Sequence, residues 1–240
     1  MTELRTAGVP NVIDELFQRR FRQYVDDHPD RTIEVLDAGC GRGGLPVEGV
    51  SQRGRAALHV VGIDVDEEPY RRHAEERADL DSWALGDLRT APLPPRTFDL
   101  VHSSHLLERI EHAELVLDRL VAAVRPGGLL LLRMYDRDCV FGILDRTLPT
   151  VLRRGLRPGE VHPPRAVYEA VASREGVHGY CVMRGLVVAE ERSARATVPT
   201  RRLELASWLV ARTRRGARAV GHDEIAFVLR KPEHHFARVL

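Results

Sequence analysis

Short apolar runs and amphipathic segments alternate along the first half of the chain. Apolar residues spaced near 3.6 positions over residues 10–28 predict a helix that ends before Pro29. Four apolar runs predict buried strands, at 33–37, 58–64, 82–85 and 98–102. The segments that follow the first, second and fourth runs predict helices, over 44–54, 67–78 and 111–124. Such alternation is typical of a parallel sheet with helices on both faces.

The second half begins with a turn and a buried strand. Arg125-Pro126-Gly127-Gly128 predicts a type II turn, because proline presets φ at the second position and glycine supplies the positive φ of the third. The apolar run at 129–134 predicts the fifth strand. The pattern is irregular over 135–172, which we interpret as an insertion.

Regular patterns return at Ser173, a predicted N-cap. A helix is expected over 174–184, with Gly185 closing it. The remaining predicted elements are a strand at 186–190, a helix at 201–214 and a last strand at 224–230. Together the elements predict one α/β domain over 1–240 with a doubly wound sheet.

Composition excludes several classes of protein. The chain is 43% hydrophobic and 30% charged with a net charge of +1, which argues against a dedicated nucleic-acid binder. Lys231 is the only lysine among 36 basic residues, a bias that we interpret as the signature of a GC-rich bacterial genome. The three cysteines form no CxxC pair, so neither a disulfide framework nor a zinc site is expected.

Targeting and membrane signals are also lacking. The first residues include early acidic side chains and no apolar core of a signal peptide. No apolar run reaches the roughly 18 residues of a membrane span. We therefore expect a cytoplasmic protein without membrane association.

Candidate chemistry begins with residues 35–44, which read VLDAGCGRGG directly after the first strand. Ligands of parallel sheets bind outside the carboxyl ends of the strands. Glycines there let the backbone take positive φ and approach a ligand, and the following helix N-terminus would favour an anionic group. The stretch predicts a site for a dinucleotide or another nucleotide-like ligand. A tight turn without a ligand is the alternative.

Two acidic residues extend this site. Asp64 ends the second strand and can accept both hydrogen bonds of a ribose diol, or can cap a helix. Asp87 follows the third strand and can accept from the exocyclic amine of adenine, or can serve as a turn carboxylate.

Four segments in order resemble the motifs of class I S-adenosylmethionine-dependent methyltransferases that act on small molecules. They read VLDAGCGRGG, VVGIDVD, GDLRTAPLPPRTFDLVHSSHLLERI and VRPGGLLLL. The resemblance is strong over 31–134 and holds in outline over 173–231. It implies a Rossmann-like seven-stranded sheet whose last strand is antiparallel, and S-adenosylmethionine as cofactor with S-adenosylhomocysteine as product.

The resemblance also implies residue roles. The turn residues would shape the pocket for the methionine moiety, Asp64 would hold the ribose, Asp87 and Leu88 the adenine, and Ser103 would lie beside the sulfonium. The full predicted cofactor-binding set is Asp37, Gly39, Cys40, Gly41, Gly43, Asp64, Val65, Gly86, Asp87, Leu88 and Ser103. No metal site is expected. Cys40 is interpreted as a small spacer and His102 as a structural histidine.

Methyl transfer needs alignment and, for a hydroxyl or amine acceptor, a general base. The predicted catalytic residues are His105 and Asp136, with Tyr135 and His162 as further candidates. His105 could instead only pack against its loop, Asp136 could pair with Arg133 or Arg137, and Tyr135 could line the pocket. One position departs from the family, since Arg109 stands where a Leu-Glu-His motif often has its histidine.

The remaining segments are assigned to acceptor selection. Residues 1–30 are predicted to form a helical lid, or an ordinary docking helix, and 135–172 to form the acceptor site. The expected partners are a small-molecule acceptor from secondary metabolism and a second copy of the chain in a homodimer. Two alternatives stay open: a non-catalytic S-adenosylmethionine-binding scaffold, and an NAD(P)-dependent oxidoreductase.

Overall fold

The computed structural model of the protein describes residues 11–41, 43–68, 70–149, 166–195 and 222–233. The strands are β1 Ile33–Ala38, β2 Leu58–Asp64, β3 Ser82–Leu85, β4 Phe98–Ser104, β5 Val124–Tyr135, β6 Val187–Ala194 and β7 Glu224–Arg230. The helices are α1 Val12–Asp26, α2 Gln52–Ala56, α3 Tyr70–Glu76, α4 Ala113–Ala123, α5 Val140–Thr147 and α6 Arg174–Arg184.

The strands form one seven-stranded sheet in the order β3-β2-β1-β4-β5-β7-β6. The pairs from β3 to β5 are parallel, whereas β7 runs antiparallel to both β5 and β6. The prediction of a Rossmann-like sheet with an antiparallel last strand is therefore confirmed. The order reverses between β1 and β4, so a crevice opens at the carboxyl ends of these two strands.

Helices cover both faces of the sheet, as predicted. One face packs against α4 and α6 through buried residues that include Leu117, Leu120 and Tyr180. The other face packs against α1. Because β1 and β4 are buried on both sides, their central residues are apolar on both faces, with one acidic residue near each start, Glu34 and Asp99.

Helix α1 packs against the sheet along its apolar stripe. The side chain of Asn11 caps it by accepting a hydrogen bond from the Ile13 amide at 3.1 Å. Six of its residues are buried: Ile13, Leu16, Phe17, Phe21, Tyr24 and Val25. Near its first turn, Asp14 Oδ1 accepts a hydrogen bond from Arg133 Nη1 of β5 at 2.6 Å. Helix α1 therefore begins beside the carboxyl end of β5.

The predicted end signals of the later elements are confirmed. Gly127 has a φ of +83°, as the predicted type II turn requires, although β5 already begins at Val124 and includes this turn. Ser173 caps α6 through its side chain, and Gly185 closes that helix with a φ of +67°. The helix predicted at 201–214 lies outside the described residues.

The helix predicted over 44–54 is wrong. Residues 43–51 have no helical structure, and α2 is a single turn that begins only at Gln52. Pro46 has no amide hydrogen to donate, and Gly49 has a left-handed φ of +80°, which a helix does not tolerate. The anion site that a helix N-terminus would have provided directly after the glycines is therefore absent from the described structure.

In the described part of the chain, no helix has both the length and the apolarity needed to cross a membrane. The segment predicted as an insertion contains α5, and its residues 150–165 lie outside the described ranges.

Candidate functional site

The glycine-rich turn follows β1 and lies against the end of β2. Gly39 and Gly41 have φ values of +73° and +39°, which side chains with a Cβ rarely adopt. A Cβ at Gly39 would also lie 3.2 Å from the Leu106 side chain. The amides of Gly39 and Cys40 both donate to the Ile63 carbonyl oxygen of β2, at 2.8 and 3.2 Å. The turn is thus a fixed backbone surface at the carboxyl ends of β1 and β2.

Gly43 differs from these two glycines. It has no positive φ, and nothing lies within 4 Å of the position of its Cβ. The structure therefore gives no backbone reason for glycine at this position, and its predicted role in the pocket stays a prediction.

Asp64 lies at the end of β2 and faces the turn. Its Oδ2 accepts a hydrogen bond from the Gly41 amide at 2.6 Å, and its Oδ1 accepts one from the Val65 amide at 2.7 Å. Burial raises the pKa of this carboxyl, and the two amides partly offset that effect. Since each carboxylate oxygen has two lone pairs, each retains one for a further donor. Asp64, the residue predicted to hold the ribose, therefore has one free acceptor position for each hydroxyl group of the diol.

Asp37, at the end of β1, belongs to a buried charged cluster. Its Oδ2 accepts from Arg77 Nη1 at 2.6 Å, and its Oδ1 meets His102 Nδ1 at 2.8 Å. Arg77 also donates to the Cys40 carbonyl oxygen at 2.6 Å and forms an ion pair with Asp79. His102 is thus hydrogen-bonded, as a structural histidine should be, but its partner is a predicted cofactor residue.

Arg77 is a site residue that sequence analysis missed. Its side chain is only 6% exposed, and it joins the glycine-rich turn to the segment after α3. In the sequence it is one arginine among many in a charged helix, and nothing in the spacing marks it as buried. The Cys40 thiol beside it is buried, which raises its pKa to about 12 and keeps it protonated at neutral pH. This agrees with the interpretation of Cys40 as a spacer.

Gly86, Asp87 and Leu88 follow β3 beside Asp64. The Gly86 amide donates to the Asp64 carbonyl oxygen at 2.8 Å, so both acidic residues lie at the same edge of the sheet. The Asp87 carboxylate is half-exposed and pairs with the guanidinium of Arg89, which lowers the pKa of the carboxyl. Leu88 is buried. The assignment of these residues to adenine stays a prediction.

Ser103 lies near the carboxyl end of β4, beside Ala38 of β1. Its side chain is 1% exposed, and its Oγ has no hydrogen-bond partner among the described residues. Buried hydroxyl groups are nearly always hydrogen-bonded, so the free hydroxyl of Ser103 needs an explanation that the described residues do not provide. This is the position predicted to lie beside the sulfonium.

His105 follows β4 and lies between two carboxylates. Its Nδ1 is 2.9 Å from Glu108 Oε1 and its Nε2 is 3.2 Å from Glu224 Oε1. Burial opposes protonation of the imidazole, but the two carboxylates outweigh it, and the pKa of His105 is raised. Arg133 binds the other oxygen of Glu224. In this arrangement both ring nitrogens of His105 donate, so the imidazole must release one carboxylate before it can act as a base.

His105 makes stability depend on pH. A histidine whose pKa is raised by folding stabilises the folded state most below its unfolded pKa of about 6.5, and loses that contribution as pH rises through the folded value. Wild type is therefore expected to lose its stability advantage over His105→Asn between pH 6 and 9, as measured by urea unfolding. Asparagine suits the left-handed φ of +56° at this position. 

The control for this pH dependence is His59→Gln, which removes a solvent-exposed pair with Glu34. Glu34 also raises the pKa of His59, but the pair is partly exposed and screened by water, so the difference between His59→Gln and wild type should change less with pH. A difference between wild type and His105→Asn that stays constant from pH 6 to 9 would contradict the assignment of a protonated His105.

The second predicted catalytic residue, Asp136, directly follows β5 and is buried. The alternative considered for it, an ion pair with Arg133 or Arg137, is not formed in the described structure. Instead its Oδ2 is 3.0 Å from His222 Nε2, and its Oδ1 accepts from the Asp138 amide at 3.0 Å. His222 precedes β7 and was not predicted, since only tertiary structure brings it to Asp136.

Aromatic rings link this region to His105. The ring of Tyr135 lies between His105 and Phe141, with centroid distances of 4.6 and 4.5 Å. Tyr135 thus packs between two rings, and its role as a wall of the acceptor pocket stays a prediction. His162 lies outside the described residues. Within the described ranges, no cluster of histidine, cysteine and acidic residues could hold a metal ion.

The strand order, the glycine-rich turn and the acidic residues at the strand ends define a Rossmann-like cofactor-binding protein. Residues 9–178 match the family model described as "Methyltransferase domain". Since this match covers more than half of the 240 residues, the chain belongs to the methyltransferase domain family. The resemblance to class I S-adenosylmethionine-dependent methyltransferases is thereby confirmed.

Curated relatives are methyltransferases of several kinds. The chain is 33% identical over 108 residues to a ubiquinone biosynthesis O-methyltransferase of Aeromonas salmonicida, a match that covers 43% of this chain and 44% of that protein. It is 32% identical over 117 residues to a malonyl-[acyl-carrier protein] O-methyltransferase of Erwinia pyrifoliae, which covers 48% of this chain and 42% of that protein. The chain thus spans about half the length of the curated relatives it matches.

Solved structures share the fold. An S-adenosylmethionine-dependent methyltransferase from Mesorhizobium loti has a TM-score of 0.52 at 17% identity, covering 91% of this chain and 99% of that one. Phosphoethanolamine N-methyltransferase 2 of Haemonchus contortus, in complex with S-adenosyl-L-methionine, has a TM-score of 0.52 at 19% identity, covering 91% of this chain and 52% of that one. At these identities the likeness concerns the fold alone.

Proposed function

We propose that this protein transfers the methyl group of S-adenosylmethionine to an oxygen, nitrogen or carbon atom of a small molecule. The observation that carries the proposal is the buried Asp64 carboxylate facing a turn with two positive-φ glycines, at the same edge of the sheet as the strand end that holds Ser103. The family match supports the same reaction. We further propose that the protein is a cytoplasmic bacterial enzyme that acts in secondary metabolism.

The residues at the crevice fit the parts of this cofactor. Asp64 offers a carboxylate lone pair on each oxygen to the ribose hydroxyls. Asp37 and Arg77 place a carboxylate and a guanidinium side by side, which complements the ammonium and carboxylate groups of the methionine moiety. Gly39, Cys40 and Gly41 supply a backbone surface close to both sites. The Gly41 amide already contacts Asp64, so we expect its environment to change when the ribose binds.

Bound S-adenosylmethionine supplies a methyl group that its sulfonium already activates. The chain therefore has to hold the acceptor in line with that methyl group, and proximity and orientation can lower the barrier by about 7–11 kcal/mol. Tyr135 and the start of the insertion border the carboxyl end of β5, where we place the acceptor. We propose that α1 and the insertion exclude water there.

A hydroxyl or amine acceptor must also lose a proton. His105 and Asp136 remain the proposed catalytic residues. Asp136 Oδ2 accepts from His222 Nε2, which fixes the tautomer that leaves His222 Nδ1 as an acceptor. In this pair Asp136 would orient the ring and His222 would take up the proton, a division of roles that is known from catalytic triads. His105 would be a base only after it is released from Glu108 or Glu224.

The proposal is tested by calorimetry with S-adenosylmethionine and S-adenosylhomocysteine. Saturable binding of both at micromolar concentrations is expected, with no binding of NAD or NADP under the same conditions. Binding of a nicotinamide cofactor alone would favour the oxidoreductase, and absence of all binding would refute the proposal.

Turnover separates the enzyme from a non-catalytic scaffold. Asp136→Asn is expected to retain affinity for S-adenosylhomocysteine and to slow methyl transfer by about 10²–10⁴-fold, the usual contribution of a general base. The readout is release of S-adenosylhomocysteine with a panel of phenols, amines and carboxylic acids. If the wild type binds the cofactor and methylates none of them, the scaffold is favoured.

A further inference from the structure

A second cleft lies at the opposite end of the sheet from the crevice. It has a volume of about 460 Å³. It is bordered by the second half of α1, the start of β4, the turn at 125–127 in β5 and the end of β7. Volumes of this size are typical of sites for small molecules. Neither Asp37, Asp64 nor Ser103 lines it, so it is separate from the proposed cofactor site.

Arginine dominates the polar lining of this cleft. Four arginines line it: Arg20, Arg31, Arg125 and Arg230. The carboxylates in the lining are Asp27, Asp99 and Glu233. The lining therefore carries one more guanidinium than carboxylate.

The base of the cleft is built around the buried carboxylate of Asp99. Its Oδ1 is 2.8 Å from Arg31 Nη2, and its Oδ2 accepts from Arg125 Nη1 at 2.8 Å and from the Glu34 amide at 2.9 Å. The Asp99 side chain is 1% exposed. Burial opposes its charge, but the guanidinium of Arg31 and the other donors outweigh burial and lower the pKa of Asp99. Two guanidinium groups thus converge on one ionised carboxylate, which leaves a positive charge.

Several guanidinium donors in this cleft have no partner in the described structure. Arg125 uses one terminal nitrogen on Asp99, which leaves most of its five N–H groups free. Arg230 comes no closer than 3.9 Å to the carboxylate of Glu233. The terminal nitrogens of Arg20 bind Gln23 and Glu190, and only its buried Nε lacks a hydrogen-bond acceptor among the described residues. An oxyanion in the cleft would satisfy these donors.

We propose that this cleft binds a small organic molecule through its phosphate or carboxylate group, with Arg125 and Arg230 as the principal donors. Guanidinium groups bind planar oxyanions with two parallel hydrogen bonds, which suits both chemistries. The apolar side chains of Leu129 and Val228 in the same lining would contact the rest of the ligand. The site would be regulatory or would hold a remote part of a ligand, since it lies away from the crevice.

The test uses the full chain and inorganic phosphate or malonate as probes. Thermal unfolding is followed as each probe is added, with chloride exchanged to keep the ionic strength constant. A saturable rise in melting temperature is expected for wild type, and Arg125→Gln should weaken the apparent affinity at least tenfold. Arg184→Gln is the control, because Arg184 is an exposed arginine that pairs with Asp118 away from the cleft.

Arg230→Gln provides a second variant in case Arg125→Gln does not fold, since Arg230 has no partner within hydrogen-bond distance in the described structure. Weaker binding in either cleft variant, with unchanged affinity for S-adenosylmethionine, supports the site. A response to phosphate and malonate that does not saturate, or that is equal in Arg230→Gln, Arg184→Gln and wild type, overturns it. Because cofactor affinity is measured separately, failure here leaves the proposed methyl transfer untouched.

Discussion

Asp64→Ala is expected to weaken binding of S-adenosylmethionine about 10²–10³-fold. The proposed contact is a pair of hydrogen bonds from the ribose hydroxyls to a charged carboxylate, and hydrogen bonds to charged groups contribute about 1.5–3 kcal/mol each. Such contributions are not additive, so a loss of about 3–4 kcal/mol is expected, at 1.4 kcal/mol per tenfold change. Calorimetry with S-adenosylhomocysteine measures the effect without turnover.

Two further variants make the Asp64 experiment specific. Asp66→Ala removes an exposed carboxylate two residues away that pairs with Arg71, and should leave affinity unchanged. Asp64→Asn keeps one acceptor oxygen and should fall between wild type and Asp64→Ala. An affinity in Asp64→Ala equal to that of Asp66→Ala would show that the ribose binds elsewhere.

Gly176→Ala is expected to destabilise the protein by about 3 kcal/mol, the upper range for overpacked sites. A Cβ at Gly176 would lie 2.1 Å from the carbonyl oxygen of Ala170 and 2.8 Å from its carbonyl carbon. Both are backbone atoms of the segment that leads into α6, so no side-chain rotation can relieve the clash. Urea unfolding gives the free energy of unfolding, and the urea midpoint should fall accordingly.

Gly179→Ala is the matched control, since it makes the same change three residues later in α6. Nothing lies within 4 Å of its Cβ position, and alanine favours a helix by about 1 kcal/mol over glycine. This variant should therefore be slightly more stable than wild type. Equal effects of the two substitutions would mean that the start of α6 does not pack against Ala170 as described.

Most of the fold was predictable because its strands are short, buried and apolar. The boundaries of β2, β3 and β7 agree with the predicted ones. Serine and glycine at the ends of α6, and glycine in the turn at the start of β5, were correctly predicted from their backbone preferences. Backbone preferences of this kind are local, so the sequence alone reveals them. The helix predicted over 44–54 was wrong because that prediction followed the apolar pattern. It did not take into account that Gly49 could adopt a left-handed φ, which interrupts a helix.

The candidate site was predictable only where it coincides with strand ends. Asp37, Asp64 and Ser103 directly follow or end buried strands, and the crevice brings these positions together. Arg77 and His222 reach the site from segments distant in sequence, through contacts with Asp37 and Asp136. No spacing rule connects such pairs. Of the two carboxylates beside His105, Glu108 is three residues away, but Glu224 comes from β7, so the raised pKa of His105 could not be inferred beforehand.

The place of β7 in the sheet has a consequence for biosynthesis. This strand is the last of the seven to be translated, yet it joins β5 to β6 in the interior of the sheet. Until it leaves the ribosome, β5 has an unpaired edge and β6 has no neighbour, and such edges promote association between nascent chains. A protein built in this order needs its last strand before β6 can join the sheet, whereas the five strands from β3 to β5 can pair without it.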